Sequence, residues 1–257
     1  MKKEKVFIVV KAYPTPSKKH TETVCTAGFR EDGSWIRLYP IQFRSLEDEQ
    51  KYNKYQWIEV ELVRSDKDPR PESCRILNVD DIKILGKPIG TGRNHDWGER
   101  RKLVLEGKKI YTNTKEIISL AHKNELSLVT FKADKILDLI VKPKALNRFK
   151  QGDLFKDLMP EIPYKFSYKF KDDSGKESIL SILDWEISQL YLNCRKNSDE
   201  QAAIAKVHQK YYTEFVNKKD LYLFLGTTHK WHRRRSKNPF VIIGIFYPPQ
   251  ITQPSLL

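Results

Sequence analysis

The longest uninterrupted apolar run in this chain, Phe240 to Tyr247, is only eight residues. A helix that crosses a bilayer needs roughly 20, so a soluble core assembled from many short elements is expected. The N-terminus has a basic start, but Val6 to Val10 is too short for the apolar core of a secretion signal, and Lys11 interrupts it. Cys25, Cys74 and Cys194 are odd in number and widely spaced, giving neither a disulfide framework nor zinc-ligand spacing. A cytoplasmic location follows from these features as an expectation. At 257 residues the chain is long enough to bury a sizeable core without such staples.

The first third reads as strands. Val6 to Val10 is a β-branched run, ended by the proline-containing stretch Tyr13 to Ser17. Thr23 to Arg30 and Ser34 to Tyr39 flank Glu31-Asp32-Gly33, a hairpin turn in which Gly33 supplies the positive φ. Trp57 to Val63 alternates with period two, setting Ile58, Val60 and Leu62 on one face. Shorter strands are expected at Arg75–Leu77 and Ile82–Leu85. The sum is a mostly antiparallel small barrel or curled sheet over residues 1–90. Its strand count is similar to that of PUA-like and OB-like nucleic-acid modules, an analogy of architecture and not of motif.

Residues 91–257 read as a mixed α/β region, continuous with the first or separate from it. Helices are expected at Asp96–Leu105, at Thr114–His122 with Thr114 as N-cap, and at Leu146–Leu158. Strands are expected at Leu126–Phe131 and Ile136–Val141. Leu183, Ile187, Leu190, Tyr191 and Cys194 form a helical stripe. Ser198 with Gln201 forms a capping-box pattern opening a helix with Ile204, Val207, Tyr211 and Phe215 on one face. Leu221–Leu225 and Phe240–Phe246 close the chain as a β-hairpin. The fold class is α+β.

Charge then narrows the partner. Forty-seven Lys and Arg face 33 Asp and Glu, a formal net charge of +14. Most of the cations are lysines, which also serve solubility. The 14 arginines are the informative ones, because three are consecutive in His229-Lys230-Trp231-His232-Arg233-Arg234-Arg235-Ser236-Lys237. A guanidinium grips phosphate with two hydrogen bonds, and an indole offers a face for a base. Lying between two apolar strands, this stretch reads as the tip of a hairpin. Phosphate contacts are assigned to Lys230, Arg233, Arg234, Arg235 and Lys237, stacking to Trp231 and added donors to His232 with His229. Arg100, Arg101 and Lys102, near Trp97, form a second basic cluster.

Catalytic signals are sparse. Gly86 to Gly92 lacks the Gly-Lys-Ser/Thr ending of a P-loop, and the dinucleotide pattern would need glycine where His95 stands. Asp184 and Glu186 are the best carboxylate pair for a metal-dependent nuclease, yet two residues apart on a helix they point about 200° apart. Asp184 as a helix N-cap is the simpler role. No metal ligand set and no cofactor is assigned, Mg²⁺ entering only with the nuclease reading. The leading expectation is a nucleic-acid-binding protein, DNA or RNA, that recognises shape or single strands more than base edges. The alternatives are a nucleic-acid-processing enzyme, and a protein-interaction subunit of a larger complex. No membrane partner is expected.

Overall fold

The computed structural model describes residues 3–13, 15–17, 21–144, 160 and 162–251. The helix expected at Leu146–Leu158 lies outside them. The first seven strands are β1 (Lys3–Lys11), β2 (Thr15–Ser17), β3 (Thr21–Arg30), β4 (Trp35–Ile41), β5 (Gln56–Arg64), β6 (Ser73–Ile76) and β7 (Lys83–Leu85). They hydrogen-bond in the order β1-β3-β4-β6-β5-β7, and β1 also pairs with β5. Five strands therefore close into a barrel, antiparallel throughout except where β4 meets β6 in parallel. Val6, Ile8, Ile36, Leu38, Ile58 and Val60 fill its interior. Gly28 lets β3 approach β1 closely, since a Cβ there would stand 2.2 Å from the Phe7 carbonyl oxygen.

After the barrel come α1 (Gly98–Leu105), β8 (Ile110–Tyr111), α2 (Thr114–His122), β9 (Leu128–Phe131) and β10 (Lys135–Pro143). They are followed by β11 (Tyr164–Lys171), β12 (Glu177–Ser181), α3 (Trp185–Lys196) and α4 (Glu200–His208). A π-helical stretch, Gln209–Glu214, runs from α4 into α5 (Phe215–Lys218). The described chain closes with β13 (Tyr222–Thr227), α6 (His229–Arg233) and β14 (Phe240–Phe246). Two sheets form here, β14-β13-β9-β8 and β10-β11-β12. The protein is thus α+β and mostly sheet. Among the described residues no helix is long and apolar enough to cross a membrane.

Layering explains the continuous apolar runs. In β1, Val6 and Ile8 point into the barrel while Phe7, Val9 and Val10 pack outward against Phe224, Ile243 and Phe246. In β13, Phe224 faces that junction while Leu223 and Leu225 face a second core made with β11, α2, α3 and α4. A strand buried on both faces has no wet face to alternate with, so it reads as an unbroken apolar run.

Several expected details shift. The α2 helix spans the expected residues, but its N-cap is Asn113, whose side chain accepts from Lys115 and Glu116. Thr114 is buried and gives its hydroxyl to Asp172. The cap of α4 is Asp199, accepting from Ala202, while Ser198 bonds back to the Cys194 carbonyl. Leu183 lies outside α3 and is exposed. The strands β11 and β12 were not anticipated at all.

Candidate nucleic-acid interface

The segment between β13 and β14 is a helical turn and not an extended tip. Thr228 caps α6, its hydroxyl accepting from the Trp231 N–H at 3.4 Å. The end of α6 is tied by two crossed bonds, Ser236 N–H to the Trp231 carbonyl (3.1 Å) and Arg235 N–H to the His232 carbonyl (3.0 Å). That pairing is a Schellman motif, whose C′ residue takes left-handed backbone and is usually glycine. Here the C′ residue is Arg235, at φ 47°. An L-residue with a Cβ costs about 1 kcal/mol more than glycine in that conformation.

Around this strained mount Lys230, Trp231, Arg233, Arg234, Arg235 and Lys237 are all exposed. Among the described residues none of the five cations has an acidic partner. Trp231 is 43% exposed, with the Lys230 ammonium 4.9 Å and the Arg234 guanidinium 6.0 Å from its ring centroid.

His232 points the other way, into the protein. Its Nε2 donates to Asn124 Oδ1 (2.8 Å), leaving Nδ1 to accept from the Thr227 hydroxyl (3.1 Å). Burial lowers its pKa, and the nearby Arg70 and Arg37 lower it further. His232 is therefore a neutral anchor of the turn, which corrects its assignment as a surface donor. A second tie comes from α2, where His122 Nε2 donates to the Ser236 carbonyl at 2.9 Å.

Beneath the turn lies a buried polar network that sequence reasoning missed. Arg70 forks onto Asp68 (2.8 and 2.6 Å) and donates to the Thr227 carbonyl at 2.7 Å. Burial pushes the Asp68 carboxyl up, but the Arg70 hydrogen bonds and charge outweigh it and hold it well below the usual range. Arg37, 1% exposed, donates to Ser127 Oγ at 2.7 Å and to Ser73 Oγ at 3.2 Å. Glu72 accepts from the Ser127 and Leu128 N–H groups. Burial, then Arg70, lowers the Arg37 pKa to about 10. This network joins the barrel to β9 and β13 directly under the basic turn. One signal in the sequence points to it: Asp68-Pro69-Arg70-Pro71-Glu72 sets three charges in a backbone stiffened by two prolines.

The second basic cluster does not join the first. Arg101 pairs with Asp220 (3.2 Å) and also bonds the Pro249 carbonyl. Asp220 precedes β13, whereas the turn follows it, so the two lie roughly 25 Å apart at about 3.3 Å per strand residue. Arg100 is folded over the Tyr55 ring at 4.0 Å and donates to the Ile89 carbonyl. Lys102 is exposed.

Asp184 and Glu186 do meet, contrary to the helical geometry expected of them. Asp184 precedes the helix as its N-cap, so both carboxylates reach Lys54 Nζ, at 3.5 and 3.2 Å. Asp184 also accepts from the Glu186 and Ile245 N–H groups. Burial disfavours charge on Lys54, but the two carboxylates hold it firmly protonated. The space between the carboxylates is filled by an ammonium. Among the described residues no three His, Cys, Asp or Glu side chains are grouped as a metal site.

No curated protein matches the sequence. Among solved structures, a murine DNA binding protein bound with ds DNA aligns at 9% identity and a TM-score of 0.35, covering 99% of both chains. The tetrameric p202 HIN2 aligns at 8% identity and a TM-score of 0.32, covering 97% of this chain and 92% of that one. Both scores are too low to establish a shared fold. Two family profiles match, each described as a domain of unknown function: DUF8758 over residues 2–106 and DUF8757 over residues 111–257. The second spans more than half of the sequence, and the chain belongs to the DUF8757 family.

Proposed function

We propose that this protein binds nucleic acid through the α6 turn, with Lys230, Arg233, Arg234, Arg235 and Lys237 on phosphates and Trp231 against a base or sugar. The observation that carries this reading is Arg235 in left-handed backbone. Glycine would relax the turn, and arginine instead adds one more cation to a surface that already repels itself. Strain kept at a charged, solvent-facing position points to a ligand that repays it. The single indole of the turn, and the shortness of α6 at five residues, favour single strands or irregular shapes over base-edge readout.

The test is binding of single- and double-stranded DNA and RNA across a salt series. Log affinity should fall linearly with log salt, by about 0.9 per duplex phosphate contacted. The variant R233A/R234A/R235A should flatten that slope by about two to three units. An unchanged slope removes the turn from the account. Cleavage of the probe on adding a divalent metal would move the protein to the nuclease class.

A further inference from the structure

A second cationic surface lies far in sequence from the turn. In the antiparallel pairing of β10 with β11, Lys135 stands directly opposite Lys171 and Lys142 directly opposite Lys165. Alternation along β11 puts Lys165, Lys169 and Lys171 on one face, while Phe166, Tyr168 and Phe170 turn inward to the core. A bulge between Ile136 and Asp138 brings Lys135 and Lys142 onto that same face, with Asp138 opposite Lys169. Across the neighbouring β12, Ile179 faces Lys169 and Glu177 faces Lys171 on that same outer surface. Glu177 bonds Lys169 at 2.7 Å and lies 4.0 Å from Lys171. Lys135, Lys142 and Lys165 are exposed, and among the described residues none of them has an acidic partner.

Directly opposed residues of an antiparallel pair bring their Cβ atoms to about 5 Å, and like charges there destabilise the sheet. One lysine pair is unremarkable on a basic protein. Two on the same face, at the two ends of one ladder and with most of their charge uncompensated, imply a partner that supplies the missing anions. From Lys135 to Lys142 the strand covers roughly 20 Å at about 3.3 Å per residue. A duplex strand presents a phosphate about every 3.4 Å of axis, so about six phosphates pass that length.

We propose that the outer face of the β10-β11-β12 sheet is a second nucleic-acid surface, holding the sugar–phosphate backbone without reading bases. The proposal rests on the nucleic-acid reading of the turn. An acidic protein is the less favoured occupant. Protein interfaces are depleted in lysine and anchored by aromatic and arginine side chains, and among the described residues this face offers no arginine and no aromatic ring.

The register supplies an unusual test. In the full chain, K135E/K142E replaces two repulsive cross-strand pairs with attractive ones. The variant should keep or raise its Tm while its salt slope on a 20-bp duplex flattens by about two units. With affinities matched at 1 M salt, that amounts to about 30-fold weaker binding at 0.15 M. The neutral variant K135Q/K142Q should show a flattening of similar size, separating lost contacts from added repulsion. Unchanged binding in both, while the arginine-triplet variant still weakens, would overturn this surface and leave the turn intact. Failure of the unaltered protein to retain any nucleic acid would overturn both. Displacement of the duplex by polyglutamate at equal charge would overturn the choice of partner. A lowered Tm in K135E/K142E would overturn the premise that the lysine pairs repel.

Discussion

Lys54 and Arg235 are both costly cations, and the molecule handles them in opposite ways. Lys54 is nearly buried, with side-chain exposure of 9%, and two carboxylates answer its charge. Arg235 is exposed, unanswered and held in backbone that disfavours it. The first arrangement ties the barrel to the start of α3 and to β14, so its charges are consumed internally. The second leaves charge available. Chemically similar residues thus separate into cations spent within the fold and cations left to solvent by one criterion, whether the fold has already supplied the counter-ion.

Breaking the internal cluster should give the largest effect. Lys54→Met leaves Asp184 buried without its cation, which should cost about 3–5 kcal/mol of stability, read as a lowered urea midpoint. A cost below about 1 kcal/mol would mean that the cluster is not structural. Trp231→Ala comes next, weakening single-strand binding by about 1–3 kcal/mol while leaving thermal stability unchanged. Arg235→Gly should move two quantities in opposite directions, stabilising the fold by up to about 1 kcal/mol and weakening nucleic-acid binding. If Arg235→Gly lost stability, the strain argument would fail.

The smallest effect expected is a pH dependence through His232. Its folded pKa is lowered by burial and by Arg70 and Arg37, whereas the unfolded chain takes up the proton near pH 6.5. That contribution is intact above about pH 6.5 and is lost as pH falls below it, through the folded pKa. In His232→Gln the decline in urea midpoint over that window should become shallower. An identical decline would remove His232 from the network.

Much of the architecture was legible in local pattern, and what was missed depended on distant partners. The turn at Glu31 to Gly33 and the strands β5 and β14 were readable because each reflects neighbours in sequence. The caps slipped by one residue because Thr114 and Ser198 spend their hydroxyls on Asp172 and on the Cys194 carbonyl. Arg37 was invisible as an interior residue, since its partners Ser73 and Ser127 lie far along the chain. By contrast, Tyr164-Lys165-Phe166-Ser167-Tyr168-Lys169-Phe170-Lys171 carries a clear period-two signal in its own residues and could have been found. At the site, composition located the basic turn. Only coordinates could separate His232 as its anchor from the cations around it, and remove Arg100 and Arg101 to the far end of β13.

The two family profiles meet between residues 106 and 111, but the shared strand β1 ignores that seam. Phe7, Val9 and Val10 complete a wall whose opposite side, Phe224, Ile243 and Phe246, comes from β13 and β14, far later in the sequence. An emerging chain therefore holds a finished barrel with one oily flank uncovered until β13 and β14 leave the ribosome. Anything that truncates the message after the first profile should yield a sticky fragment and not a free-standing module.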